Sequence, residues 1–248
     1  MTGLGVVSSI GIGWPEFWKN LLAGKSGIGK IRAFDSSSYD RHFAGEIKKF
    51  KTSDFISDKR VLQMGRASQL AVAACKLALA DRDFKIRKSR HTRVGICIGT
   101  TTGEPQVMEE FDAKMIPKNL YTVDAASAMT YSPTTIAANV AKLFKLNGPN
   151  IMFSNACAAG NYAVGLAYDY IRTGKVNFML AGGADAFSRI AFTGFARVYA
   201  IAPEKCQPFD KNRQGMIPGE GAAMLFLETL EGALKRKAPI YAEVKGYG

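Results

Sequence analysis

Histidine is nearly absent from this chain. Its 248 residues include only His42 and His91, both in the first half. Cysteine is sparse too: Cys75, Cys97, Cys157 and Cys206 lie far apart and show no paired spacing. That pattern argues against a disulfide framework and a zinc cluster, and no metal site is expected. No apolar run approaches the roughly 20 residues that a membrane-crossing helix needs. The opening stretch, MTGLGVVSSIGIGW, has no basic segment, and acidic Glu16 follows closely. No secretory signal is therefore expected, which favours the cytoplasm. Short-period repeats, low-complexity tracts and Pro- or Ser-rich linkers are also missing, so residues 1–248 are expected to form one domain.

What is present is a chain with 47% hydrophobic residues and a basic balance, 33 Lys and Arg against 21 Asp and Glu, for a net charge of +12. The length and apolar content suffice for a substantial core. The densest basic cluster is Lys48, Lys49, Lys51, Lys59 and Arg60. It lacks the interleaved aromatics of a single-strand binder and the motifs of the common DNA readers, so an acidic protein is the expected partner rather than nucleic acid.

Periodicity predicts helices over Pro15 to Ala23, Lys59 to Ala80, Val107 to Lys114, Pro133 to Lys145, Gly160 to Thr173 and Leu230 to Arg236. Strands are predicted over Arg93 to Ile98, Ile151 to Ser154, Val176 to Ala181 (ended by Gly182-Gly183), Ala222 to Glu228 and Ile240 to Tyr247. This alternation points to a layered α/β fold with mainly parallel pairing. Cys75 and Cys97 sit in apolar helix and strand patterns and read as small buried hydrophobes.

Cys157 is different. It stands in SNACAAGN, where an apolar strand, IMF, gives way to a helix. A helix N-terminus offers free N–H groups and a dipole that stabilises a thiolate, and the same N–H groups can bind an oxyanion. Ala158, Ala159 and Gly160 leave room for a thioester. Local sequence alone leaves two readings open, a nucleophile and a buried inert thiol.

Four more segments follow in fixed order or frame this one: MTGLGVVSSIG at the start, MLAGGADAF (179–187), PFDKNRQGMIPGEGAAMLFLE (208–228) and IYAEVKGYG (240–248). Together with NACAAGN they resemble the β-ketoacyl-acyl carrier protein synthases, the elongating condensing enzymes of fatty acid and polyketide synthesis. The similarity covers essentially the whole chain and corresponds to the N-terminal half of such an enzyme. Biosynthetic thiolases and hydroxymethylglutaryl-type synthases share the fold, but PFDKNRQG and GEGAA fit the carrier-protein synthases better.

The resemblance implies a thiolase-like fold, its N-terminal half a layered α-β-α arrangement. It also implies a homodimer with Asn150 to Asn155 at the interface. Cys157 would be the residue that accepts the acyl group, its backbone N–H contributing to the oxyanion hole. Chain-length-factor relatives replace this Cys, and this chain keeps it. No resident cofactor is implied, because acyl groups arrive on the 4'-phosphopantetheine of acyl carrier protein. Met108 and Tyr131 fall in stretches near the acyl tunnel. Lys59, Arg60, Lys118 and Arg197 fall near positions that meet the carrier protein. Gly182 and Gly183 are expected to combine a strand-end turn with close backbone approach. Asp210, Arg213 and Glu220 are expected to form a structural ion-pair network.

One departure is large. The family's two catalytic histidines follow the Cys, whereas His42 and His91 both precede it, so neither takes a catalytic role. The expectation is a chain that can be acylated at Cys157 but cannot elongate without a C-terminal half or a complementary chain. The alternative from another class is a non-catalytic fold or dimerisation partner of a separate catalytic chain, distinguished by slow, ordinary alkylation at Cys157.

Overall fold

The computed structural model describes residues 1–56, 64–81, 84, 86, 93–116, 130 and 132–248. Its centre is a six-stranded sheet built from β1 (Gly3–Ser8), β2 (Gly11–Ile12), β5 (Val94–Gly99), β6 (Asn150–Phe153), β7 (Phe178–Asp185) and β8 (Gly221–Glu228). The spatial order is β2-β1-β8-β7-β5-β6. A separate hairpin pairs β3 (Gly29–Lys30) with β4 (Phe43–Ala44).

The sheet is more mixed than the alternation suggested. β5 runs parallel to β6 and β7, while β8 runs antiparallel to both its neighbours, β1 and β7, and β2 turns back on β1. Alternation along the chain does not reveal the reversal, because β8 enters through a long glycine-containing connection with no crossover helix after β7's own α-helix has ended.

Each face is covered. On one lie α2 (Arg66–Ala80) and α4 (Thr134–Phe144), whose Leu70, Ala74, Ile136 and Val140 pack with Ile96, Ile98, Leu180, Met224 and Phe226. On the other lies α5 (Ala159–Arg172), whose Ala163 and Ala167 meet Cys97, Met179, Ala181 and Leu227. The split of Ile96 and Ile98 from Cys97 follows the two-residue repeat of a strand buried on both sides. α5 approaches through its small residues. Tyr162, Leu166 and Tyr170, four apart in the sequence, lie on flanks where they are only partly covered or, for Tyr162, exposed.

The remaining helices are α1 (Trp14–Leu22), α3 (Pro105–Met115), α6 (Arg189–Arg197) and α7 (Leu230–Lys235). Proline stands in the first turn of both α1 and α3, where its missing N–H costs nothing. No helix among the described residues is long and apolar enough to cross a membrane.

Three expectations need correction. The helix expected from Lys59 begins at Arg66, because Gly65 is extended with ψ 167°; residues 57–63 lie outside the described residues. Strand β7 continues through Gly182 and Gly183 to Asp185, since both glycines hold their ladder positions opposite Ile98 and Gly99. They are not a strand-end turn. Ile240 to Tyr247 is not a strand. Tyr241 N–H donates to the Met1 carbonyl and the Met1 amine donates to the Ala242 carbonyl, a contact of one residue deep that makes no ladder. The segment is held by side chains instead, with Tyr241 donating to Asp81 and Tyr247 to Asp169.

Candidate active site

Parallel strands β5, β6 and β7 end at one edge of the sheet, the edge where open α/β sheets place their ligands. Cys157 is there. After β6 the chain passes through Ser154 and Asn155 into a single 3-10 turn, Ala156–Ala158, and then directly into α5. Residues 154–158 are exposed, Cys157 included. Ala156 has φ +57°, a left-handed conformation unusual for a residue with a Cβ and worth about 1 kcal/mol or more of strain. The next residue, Cys157, stands exposed in the turn that leads into the helix. The 14 residues of α5 point their N-terminus at this edge.

The helix start is pressed onto the sheet. A Cβ on Gly99, the last residue of β5, would overlap the backbone of Ala159 and Gly160. Gly183, the ladder partner of Gly99, lies against the same point from β7. Only hydrogen at Gly99 lets the first turn of α5 sit so close, and that closeness sets the height of Cys157 above the sheet.

The loop leaving β5 forms the adjoining wall and is held by carboxylates that the sequence did not single out. Asp185, at the end of β7, accepts from Thr100 Oγ1 (2.9 Å) and from the Thr101 N–H (2.7 Å). Thr100 Oγ1 accepts in turn from the Gly103 N–H. Glu104 is buried and reaches back to α2, accepting from the Ala67 N–H (3.0 Å) and the Ser68 N–H (2.7 Å). It caps a helix whose own N-cap, Gly65, has no side chain to do so. Burial raises the Glu104 carboxyl above its usual range, and the hydrogen bonds from Ser68 and Ala67 only partly offset this. α3 is then tied to the residues after β7, with Gln106 donating to the Phe187 carbonyl and Glu109 accepting from the Ile190 N–H. These pairings join residues tens of positions apart, and no local motif marks them.

Of the residues singled out by sequence, Cys157 occupies the turn. Met108 is half-buried on α3, and Arg197 is exposed at the last position of α6. Tyr131, Lys59, Arg60 and Lys118 lie outside the described residues. The expected Asp210–Arg213–Glu220 network does not form. Arg213 donates to the Asp210 backbone carbonyl, whereas the Glu220 carboxylate pairs with Arg66 at 2.8 Å. His42 is exposed beside Ser36 (3.3 Å), and His91 lies outside the described residues. No group of metal-ligating side chains occurs among the described residues.

The cysteines divide sharply. Cys75 and Cys97 are buried, and Cys157 and Cys206 are exposed. Burial pushes the Cys97 thiol up to about 12 and the Cys75 thiol up as well. At pH 8 Cys97 therefore stays protonated. Iodoacetamide at pH 8 is expected to modify Cys157 and Cys206 in the folded chain and to reach Cys75 and Cys97 only after denaturation. Peptide mass mapping reads the result, and labelling of Cys97 in the native chain would contradict it.

Comparison with known proteins agrees with this geometry. Residues 1–233 match the family model "Beta-ketoacyl synthase, N-terminal domain". The 3-oxoacyl-[acyl-carrier-protein] synthase 2 of Staphylococcus aureus is 33% identical over all of this chain and 63% of its own length. The solved ishigamide ketosynthase/chain length factor superposes with TM-score 0.93 at 38% identity, covering 100% of this chain and 62% of that one. A second structure, a type II PKS acyl-carrier protein in complex with its ketosynthase bound to the hexaketide, gives TM-score 0.81 at 27% identity over 97% of this chain. The chain therefore spans about three-fifths of the length of these relatives, and its layered sheet is the thiolase-like fold of those ketosynthases. By that match over nearly its whole length, the chain belongs to the β-ketoacyl synthase N-terminal domain family.

Proposed function

We propose that this chain is the Cys-bearing part of a 3-oxoacyl-[acyl-carrier-protein] synthase, an acyltransferase of fatty acid or polyketide synthesis. The observation that carries the reading is the exposed Cys157 on a strained turn at the head of α5, in a chain whose relatives bear that name. In the first step the Cys157 sulfur attacks the thioester carbonyl of an acyl group on a carrier protein. The new C–S bond forms, the carrier's pantetheine sulfur leaves with the proton, and N–H groups at the turn, that of Cys157 among them, face the oxyanion. Met108 and Tyr131 are the residues proposed for the acyl tunnel. No resident cofactor takes part; the 4'-phosphopantetheine belongs to the incoming substrate.

The second step is decarboxylation of a malonyl-carrier and attack of its enolate on the Cys157 thioester. It needs an acid-base pair, and neither His42, engaged with Ser36, nor His91, ahead of β5 in the sequence, supplies one. We assign that pair to polypeptide outside these 248 residues, a C-terminal half or a complementary chain.

Other parts of the reading have their own support. β6 is an edge strand whose outer side has no partner among the described residues, which suits isologous pairing of two copies through Asn150 to Asn155. Exposed Arg197 suits an acidic carrier protein, with Lys59, Arg60 and Lys118 as further docking residues, and an acyl-carrier complex exists for a related ketosynthase. Free thiols suit a reducing compartment, the cytoplasm.

The test is acylation. The purified chain, mixed with acyl-holo-carrier, is expected to gain one acyl mass at Cys157, and Cys157→Ala to gain none. Added malonyl-carrier is expected to yield no 3-oxoacyl product. A folded wild-type chain that stays unacylated would sink the nucleophile reading and favour a structural partner. Released 3-oxoacyl product would sink the division of labour.

A further inference from the structure

Away from Cys157, a groove of about 720 Å³ opens between the loop around residues 38–41 and helix α6. Tyr39, Arg41, Arg189, Thr193, Arg197 and Tyr199 line it, and Asp40 is the one carboxylate among its walls. None of the three guanidiniums is ion-paired among the described residues. The other arginine–carboxylate contacts, Arg66–Glu220, Arg172–Asp169 and Arg236–Glu228, are closed pairs. Glu109 and Asp35 act on Arg189 from nearby without closing an ion pair with it, and an anion seated among the three guanidiniums would meet donors that these carboxylates leave open.

Two of the three are also held in place. Arg41 donates through Nε to the Ile201 carbonyl (3.1 Å) and through Nη1 to the Asp40 carbonyl (3.2 Å), which leaves Nη2 without a partner among the described residues. Arg189 donates through Nε to Tyr39 Oη, which is itself bonded to Thr193 Oγ1 at 2.7 Å, and neither of its terminal nitrogens has a hydrogen-bond partner among the described residues. The frame behind them is rigid. Phe34, Tyr39, Phe187 and Phe192 stack edge and face in a small core with Ala44 and Ile201. Burial raises the Tyr39 phenol, yet the hydrogen bonds with Thr193 and Arg189 and the Arg189 and Arg197 charges outweigh it and leave the phenol below its ordinary value.

Anchored guanidiniums with free terminal nitrogens match the oxygen geometry of a phosphate group, which offers more acceptors than a single carboxylate. We propose that this groove is a binding site for a phosphate ester, held by Arg41, Arg189 and Arg197. The inference does not depend on acyl transfer at Cys157. The same chemistry has two sources: the phosphodiester of a carrier-bound pantetheine arm, and a free phosphorylated small molecule.

The experiment is calorimetric titration of the full chain with glycerol 3-phosphate, and with succinate as a dicarboxylate control. Glycerol phosphate is expected to bind, more weakly as sodium chloride rises. Arg189→Gln and Arg197→Gln are each expected to weaken it about fivefold, and the double variant further. Both side chains are exposed, and unchanged circular-dichroism melts confirm that the variants fold. Arg189→Lys keeps the charge but loses the fork, and is expected to fall between wild type and Gln. Phosphate binding that is absent, or unmoved by the double variant, would overturn the site, and succinate binding of equal strength would overturn its phosphate class. Apo- and holo-carrier then separate the sources. A holo preference that the double variant erases points to the arm, and equal binding of the two carriers points to the free ester. Acylation of Cys157 is measured in parallel, so failure at the groove is distinguishable from failure of the nucleophile reading.

Discussion

Replacing Gly99 by valine is expected to destabilise the chain by about 3 kcal/mol or more and to lower acylation of Cys157 at least a hundredfold in whatever remains folded. The reason is that nothing near the new side chain can give way cheaply. Its Cβ would overlap the carbonyl group of Ala159 and the nitrogen of Gly160, which are backbone atoms of the first turn of α5. Overpacking into a side chain typically costs about 1–3 kcal/mol because a rotamer can shift; overpacking into backbone must move the helix. If α5 lifts, the 3-10 turn carrying Cys157 lifts with it, and an error of about 1 Å in a reacting sulfur is enough for the stated loss of rate. Gly194→Ala is the control. It lies inside α6, no atom comes within 4 Å of its added Cβ, and it is expected to stabilise by up to about 1 kcal/mol. Urea unfolding and intact-mass acylation kinetics measure both variants. Wild-type stability and rate in Gly99→Val would show that the close approach at this edge has no part in placing the thiol.

The same site shows what a sequence can and cannot disclose. The β6–Cys157–α5 turn was legible because every cue is local: an apolar run, small residues around one Cys, then a helical repeat. Gly99 was legible only as the end of a strand, since its contact with Ala159 joins segments 60 residues apart in the chain. Gly182-Gly183 misled for a related reason. Two glycines ordinarily punctuate a strand, but here their ladder partners Ile98 and Gly99 on one side and Met224 and Ala223 on the other carry β7 onward. Ile240 to Tyr247 has the alternation of a strand, yet a strand exists only where a neighbour continues its hydrogen bonds, and Met1 supplies one contact. The carboxylates behaved alike. Asp185 and Glu104 lie in plain view in the sequence, but what they hold, the Thr100–Thr101 loop and the N-terminus of α2, becomes visible only in three dimensions. Charge pairing by proximity in sequence put Glu220 with Arg213, and the fold put it with Arg66.

That last pairing carries the second large effect: Glu220→Ala is expected to cost about 3–5 kcal/mol of stability. The Glu220 side chain is 6% exposed and that of Arg66 23%. Oε1 accepts from Arg66 Nη2 at 2.8 Å and from the Ile47 N–H at 2.9 Å, and Oε2 accepts from Arg66 Nε at 3.2 Å. One carboxylate thereby fastens the start of β8, the segment after β4 and the first residue of α2. Alanine removes only the acid. It leaves a largely buried guanidinium stacked over Phe50 with no counter-charge, and the Ile47 and Phe187 N–H groups without this acceptor, so the loss exceeds what the pair itself contributes over an apolar substitute. This gives the prediction a second arm. The double variant Arg66→Met, Glu220→Met removes both charges at once and is expected to recover a large part of what Glu220→Ala loses, because the stranded cation goes with its partner. Glu220→Gln is expected to fall between, keeping an acceptor for Ile47 while giving up the charge. Urea midpoints for the set, with slopes compared to show that the unfolded states are equivalent, decide the matter. If the double variant is as unstable as Glu220→Ala, then the tether to Ile47, and not the ion pair, holds α2 against the start of β8.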